Sequence, residues 1–462
     1  MTSVPAPDIP TERTGLAALL TLAWPVVLSR LGIMAMGVTD VIVVGRHSAQ
    51  ELAYHSLGWA PTMVILTTGV GLLLGVQVYT AQLLGEQRET EAGAVLRRGI
   101  IFATIVGILT MAALYFGADA LMRLMRLPGE LGAHSAAAAR IFSLSLPPYL
   151  IAVACQMWLE AVKRPMPAMW IMWGANVVNL ALCLWLVPGT SPFGVQGAVA
   201  AGWATLGART ALMAALILYI LLWPGSRLLG LWTRAVEGMG IRYWRELLRI
   251  GFASAGSLFV ETAGFAGMNV IAGWIGGLTV AAFAILLNVS AVIFMVSLGL
   301  AAATAVFVGN GFGERNFNKV RRYGWLGIGF TAALLSGVAV IVWLTDDLIV
   351  GGYATQPELI ALTVPAVTLA ALFFTMDGVQ VVAANALRAM DDVWVPTLTH
   401  TISYVGVMLP LGWWLALPMG VGLQGLVWSI VITSLVAGAF LVARFKWLTR
   451  PGAALRARRA GT

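Results

Sequence analysis

The sequence predicts an all-α integral membrane protein: about 12 transmembrane helices in two six-helix lobes, related by a pseudo-two-fold axis along the membrane normal. Three observations lead there. Of the 462 residues, 60% are hydrophobic and only 10% charged, where an ordinary soluble chain carries about 25% charged residues. The charges gather in short runs between apolar stretches, each long enough to cross a hydrocarbon core of about 30 Å as a helix. The chain also repeats itself at an offset of 228 residues.

Taken in order, the N-lobe spans are 16–44, 53–82, 99–118, 136–158, 166–187 and 196–222. The C-lobe spans are 250–275, 280–308, 324–344, 360–387, 393–415 and 424–444. Each must be helical, because lipid offers no partner to a free backbone N–H or C=O. Pro25 removes one backbone bond from the first span and is expected to bend it. The second is long enough to tilt. Residues 1–15 form a short polar tail with Arg13, and the apolar segment after it is too long for a signal peptide. Segment 223–249 links the lobes and carries Arg227, Arg234, Arg242, Arg245 and Arg249; 445–462 is a basic tail.

Arg and Lys set the orientation. With the N-terminus inside, the outer loops hold only Arg46, Arg123 and Arg126, and the inner segments hold most of the others, including Arg88, Lys163, Arg164, Lys319 and Arg388. Both termini are therefore expected in the cytoplasm. Net charge is +8, and this asymmetry accounts for it without a nucleic-acid partner; the basic tail is expected to lie on anionic lipid. Cys155 and Cys183 fall in apolar segments without metal-ligand spacing and read as packing residues.

The repeat places Gly45 on Gly273, Ala53 on Ala281 and Gly71 on Gly299. "LGE" at Leu84 falls on "FGE" at Phe312, and "GVQG" at Gly194 on "GLQG" at Gly422. Between them, "EAVKRP" at Glu160 resembles "NALRAM" at Asn385 with a three-residue slip. Six spans per copy put both copies in one orientation, the parallel-repeat plan of many transporters, whose sites lie near the bilayer midplane.

Nearly all acids lie in loops or near helix ends; Asp40, Glu261 and Asp377 do not. At the bilayer centre an ionised carboxylate costs at least about 2.5–3.5 kcal/mol, so such residues face polar cavities and mark functional sites by default. A single membrane carboxylate can also be a packing group bonded to a nearby Ser or Asn, but three in one chain favour function. On the seventh span Ser254, Ser257, Glu261 and Asn269 share a face, and on the tenth Asp377 and Gln380 do, with Asn385 near the inner end. Arg30, deep in the first span, is either a counter-ion or a snorkelling side chain.

These residues carry a resemblance. "WPVVLSRLGIMAMGVTDVIVVGRHSAQELAYHSLG" and "GVGLLLGVQVYTAQLLGE" resemble the first two spans of the multidrug and toxic compound extrusion (MATE) transporters. "FVETAGF" and "FTMDGVQVVAANALRAMDD" resemble the seventh and tenth spans of its NorM-type bacterial branch. The resemblance implies a cation-coupled antiporter in the bacterial inner membrane. It implies export of organic cations or drugs by a monomer without a cofactor. By matching position, Glu261 and Asp377 resemble the C-lobe carboxylates that bind H⁺ or Na⁺. Asp40 resembles the N-lobe acid, Asn179 a polar position on the fifth span and Asn288 the start of the eighth. The chain departs from the branch at Phe283-Ala284, where a His-Gln pair is common, and at Phe294, where some relatives have a hydroxyl. Both departures thin the polar ligands and leave H⁺ and Na⁺ open.

Two rival readings remain. A flippase for lipid-linked oligosaccharide would want a cationic cavity, whereas the deep groups here are three acids against Arg30. A membrane-embedded enzyme would need a catalytic constellation, and His47, His55, His134 and His400 are scattered.

Overall fold

The computed structural model describes residues 15–127, 129–232 and 240–450. Arg13, Arg234 and the basic tail beyond Arg450 lie outside them. Two compact units divide between Gly251 and Phe252.

The first unit contains α1 (Leu16–His47), α2 (Ala49–Gly85), α3 (Ala92–Leu124), α4 (Gly129–Leu144), α5 (Leu146–Ala161), α6 (Pro165–Leu186), α7 (Gly197–Leu222), the short α8 (Gly225–Leu228) and the start of α9 (Gly240–Ile275). The second contains the rest of α9, then α10 (Gly277–Gly313), α11 (Phe317–Tyr353), α12 (Pro357–Ala389), α13 (Trp394–Thr401), a π-helical stretch (Ile402–Met408), α14 (Leu409–Ala416) and α15 (Leu423–Leu448). Among the described residues, 11 helices are long and apolar enough to cross a membrane. The α13–π–α14 run, broken into short pieces, supplies the twelfth expected span.

Local chemistry explains the breaks. Pro147 and Pro148 follow Ser145, so α4 stops and α5 restarts there with proline in its first turn. Pro410 has no N–H to give to residue 406; the helix before it widens, and Leu409 N–H donates to Tyr404 C=O five residues back. Pro25 sits inside an unbroken α1.

The repeat is written in the backbone as well. Left-handed residues end helices at Gln87 and Arg315 (φ 60° and 55°), at Lys163 and Asp391 (59° and 67°), and Gly194 and Gly422 take φ 65° and 64°. All three pairs stand 228 apart. The three-residue slip expected near Glu160 is therefore absent, and at the true register Glu160 corresponds to Arg388.

The seventh span begins at Gly240 rather than 250. Its first turns belong to the first unit's core, where Tyr243 and Leu247 are buried. Gly75 permits this: a Cβ there would stand 2.5 Å from the Leu247 carbonyl oxygen, a backbone atom with little room to retreat. Gly75→Val is expected to destabilise the protein by about 1–3 kcal/mol, read as a lowered melting temperature in detergent.

Candidate functional site

In the first unit, Asp40 is 3% exposed. Thr205 Oγ1 donates to its Oδ2 at 2.8 Å and the Cys183 thiol to its Oδ1 at 3.2 Å. Asn179 adjoins it and Arg209 lies within electrostatic reach. Cys183 is thus more than the packing residue it appeared to be. The Asn179 side chain is wholly buried beside this carboxylate. Arg209 Nη1 donates to Ser145 Oγ at 2.8 Å. Its guanidinium lies 4.4 Å from the Tyr149 ring centroid and 5.1 Å from that of Trp59, a desolvated cation held by two π faces.

A second buried constellation in this unit was not foreseen. Arg30 Nη2 donates to both oxygens of Glu160, at 3.1 and 3.2 Å. Gln77 Nε2 donates to the same carboxylate at 2.7 Å. Glu160 is only 2% exposed, although in the sequence it looks like the edge of a loop. Arg30 is a counter-ion, and its partner is this fourth membrane acid. The network ties α1, α2 and α5.

In the second unit, Glu261 from α9 and Asp377 from α12 are buried, at 7% and 8% exposure, and lie within electrostatic reach of each other. Gln380 Nε2 donates to Asp377 Oδ1 at 3.0 Å, as the i, i+3 spacing predicts, and to Tyr404 Oη at 2.7 Å. Tyr404 also approaches Glu261. It comes from the π-helical stretch, and Gly264 lets it close on α9: a Cβ there would stand 3.2 Å from Tyr404 Cβ. The hydroxyl missing at Phe294 thus has a counterpart on another helix. Gln380 Oε1 is buried with no hydrogen-bond partner, an oxygen free to take a cation.

Beside the carboxylates, Arg388 is 4% exposed and lies within electrostatic reach of Glu261. It donates to Ser257 Oγ at 2.8 Å, and Ser257 is 2.6 Å from His400 Nδ1. An arginine can only donate, so the serine proton is free to go to His400. Arg388 therefore does not belong among the surface charges that orient the chain. The structure brings Ser257, Glu261, Asp377 and Gln380, read from two separate spans, into one cluster. Asn269 and Asn288 do not join them: both are exposed, and Asn288 donates back to Ala284 C=O at 2.9 Å. Asn385 is buried but bonds its own helix at Val381.

The MatE family model matches residues 25–185 and 253–414. The chain belongs to the MATE family. It is a multi-pass membrane transporter rather than an enzyme. A relative named a probable multidrug resistance protein NorM, from Caulobacter vibrioides, is 47% identical over 435 residues, covering 94% of this chain and 92% of that one. An outward-facing structure of a multidrug resistance MATE transporter superposes with a TM-score of 0.87 at 18% identity, covering 96% of this chain and 98% of the other. A Pyrococcus furiosus transporter described as having a binding pocket of reverse polarity superposes at 0.84 and 18%, covering 95% and 98%.

Breaking one side of a buried ion pair typically costs about 3–5 kcal/mol, whereas replacing both sides with apolar groups is often neutral. Arg30→Met alone is expected to lower the melting temperature in detergent markedly. The double variant Arg30→Met, Glu160→Met is expected to recover most of the loss.

Proposed function

We propose that this MATE transporter is a cation-coupled antiporter that exports cationic or amphipathic drug-like compounds by alternating access. On this reading it works as a monomer in the bacterial inner membrane with both termini cytoplasmic. The observation that carries the reading is the buried Glu261–Asp377 pair with Gln380, Tyr404 and a free amide oxygen around it. Buried carboxylates close together cannot all stay ionised without a cation nearby. H⁺, Na⁺ and an organic cation each satisfy that need, and they compete for it. Competition of this kind supports exchange: binding one ligand favours release of the other, and each shifts the balance of conformations by its differential affinity. Na⁺ would use Glu261, Asp377, Gln380 Oε1 and the Tyr404 hydroxyl; a proton needs only a carboxylate. Asp40, with Thr205, Cys183 and Asn179, is a second candidate for a proton or substrate.

The fold alone does not choose the sign of the cargo, since a transporter of the same fold is described as having a pocket of reverse polarity. The sign of the site does. Two carboxylates against one guanidinium in the second unit favour a cationic cargo over the pyrophosphate of a lipid-linked sugar.

Asp377→Asn, inserted correctly in the membrane, is expected to abolish efflux of a cationic dye from cells, and Glu261→Gln to weaken it severely. Transport at the wild-type rate by Asp377→Asn would overturn the assignment. In proteoliposomes, Na⁺ and pH gradients imposed separately identify the coupling ion by which of them drives dye accumulation.

A further inference from the structure

The two units bury different net charges. Among the described residues, the charged side chains buried in the first unit are Arg30, Asp40, Glu160 and Arg209, which balance. Those buried in the second are Glu261, Asp377 and Arg388, which leave one negative charge. The difference lies in Arg209, which at the offset of 228 falls on Ala437; the remaining pairs are neutral in both units, with their signs exchanged between the repeats. At the offset of 228, Glu160 corresponds to Arg388 and Ser29 to Ser257. The first unit sets a cation on its first helix, Arg30, against an anion on its fourth span, Glu160. The second sets an anion on its first helix, Glu261, against a cation on its fourth span, Arg388. Each repeat then has one carboxylate to spare. In the first unit Asp40 meets the tethered guanidinium of Arg209. In the second, Asp377 has only the neutral Gln380 and the neighbouring Glu261. The other polar groups of the cluster are held by hydrogen bonds, Ser257 with His400 and Arg388, and Tyr404 with Gln380.

We propose that Arg388 sets the charge of the cation site: it compensates Glu261, leaves the site one negative charge, and so makes it select singly over doubly charged cations. This rests on the reading of Glu261 and Asp377 as a cation site and assigns the site's charge class. Arg388 is a positioning residue that acts through Glu261. The physics is the size of the Coulomb term. With an effective dielectric of about 20, removing a unit charge several ångströms away changes the affinity of a monocation by about tenfold or more, and that of a dication by the square of that factor.

The test uses the purified full-length chain and two flat probes of similar size, N-methyl-phenylpyridinium with one positive charge and dimethyl-bipyridinium with two, bound in calorimetric titrations. Wild type is expected to prefer the monocation. Arg388→Met is expected to raise the dication-to-monocation affinity ratio at least about tenfold. Arg388→Lys, which keeps the charge and changes the bond to Ser257, is expected to keep the wild-type ratio. Glu261→Gln moves the balance the other way and is expected to lower the ratio, which reads the same effect should Arg388→Met fail to fold. A ratio unmoved by both Arg388→Met and Glu261→Gln, while the monocation still binds, overturns the role of Arg388 and leaves the cation site standing. Binding of neither probe by wild type, together with dye efflux unchanged in Asp377→Asn, overturns the cation site itself.

Discussion

A charge withdrawn from water has to meet an opposite charge or a set of donors, and in this protein that requirement decides which helices touch where. Glu160 is tolerable only because Arg30 reaches it from α1 and Gln77 from α2. Asp40 is tolerable because Thr205 and Cys183 give it hydrogen bonds from α7 and α6. Arg388 is held by Ser257 on α9, and Tyr404 reaches the carboxylates because Gly264 leaves α9 bare at the contact. Apolar packing alone would allow these helices to slide or rotate against one another. The polar contacts choose one arrangement, because any other strands a charge or a donor at a cost of several kcal/mol.

The fold was open to reading because the membrane imposes so few options. An apolar run of sufficient length is a helix, and spans that repeat at a constant offset form two copies. Asp40, Glu261 and Asp377 stood out for a related reason: each is an acid with apolar sequence on both sides. Glu160 and Arg388 escaped notice because each lies three residues before a left-handed residue that ends its helix, Lys163 and Asp391. Hydropathy averages them with the adjoining loop, although the side chains point back into the protein. The repeat held the missing signal, since without the slip it places an acid and a base at one position, a pattern that surface charge does not explain. Asn269 and Asn288 show the opposite failure. Both are polar residues in apolar helices, and residue type says nothing about which direction they face. Tyr404 was hidden because its placement depends on a widened turn, for which Pro410 is the only visible clue.

The MATE fold tolerates wide sequence change, as superposition at 18% identity with solved structures shows. What such divergence leaves free is the sign of individual buried groups. A helix pair that packs well will accept an acid on either partner, provided a base stands on the other. Function can therefore change by exchanging charges inside a fixed frame, without rebuilding the frame.

The widened turn at Ile402–Met408 carries a consequence of another kind. A π turn holds one residue more than the α-helical turn it replaces. Deleting a residue there would restore ordinary winding in that turn and leave the helix on either side facing as it does now, since the turn still closes one circle. Only side chains within the widened stretch, Tyr404 among them, would be re-aimed, while α14 and the loops kept their places. An insertion or deletion at this point can therefore re-dress one wall of the site in a single genetic step without turning the rest of the span.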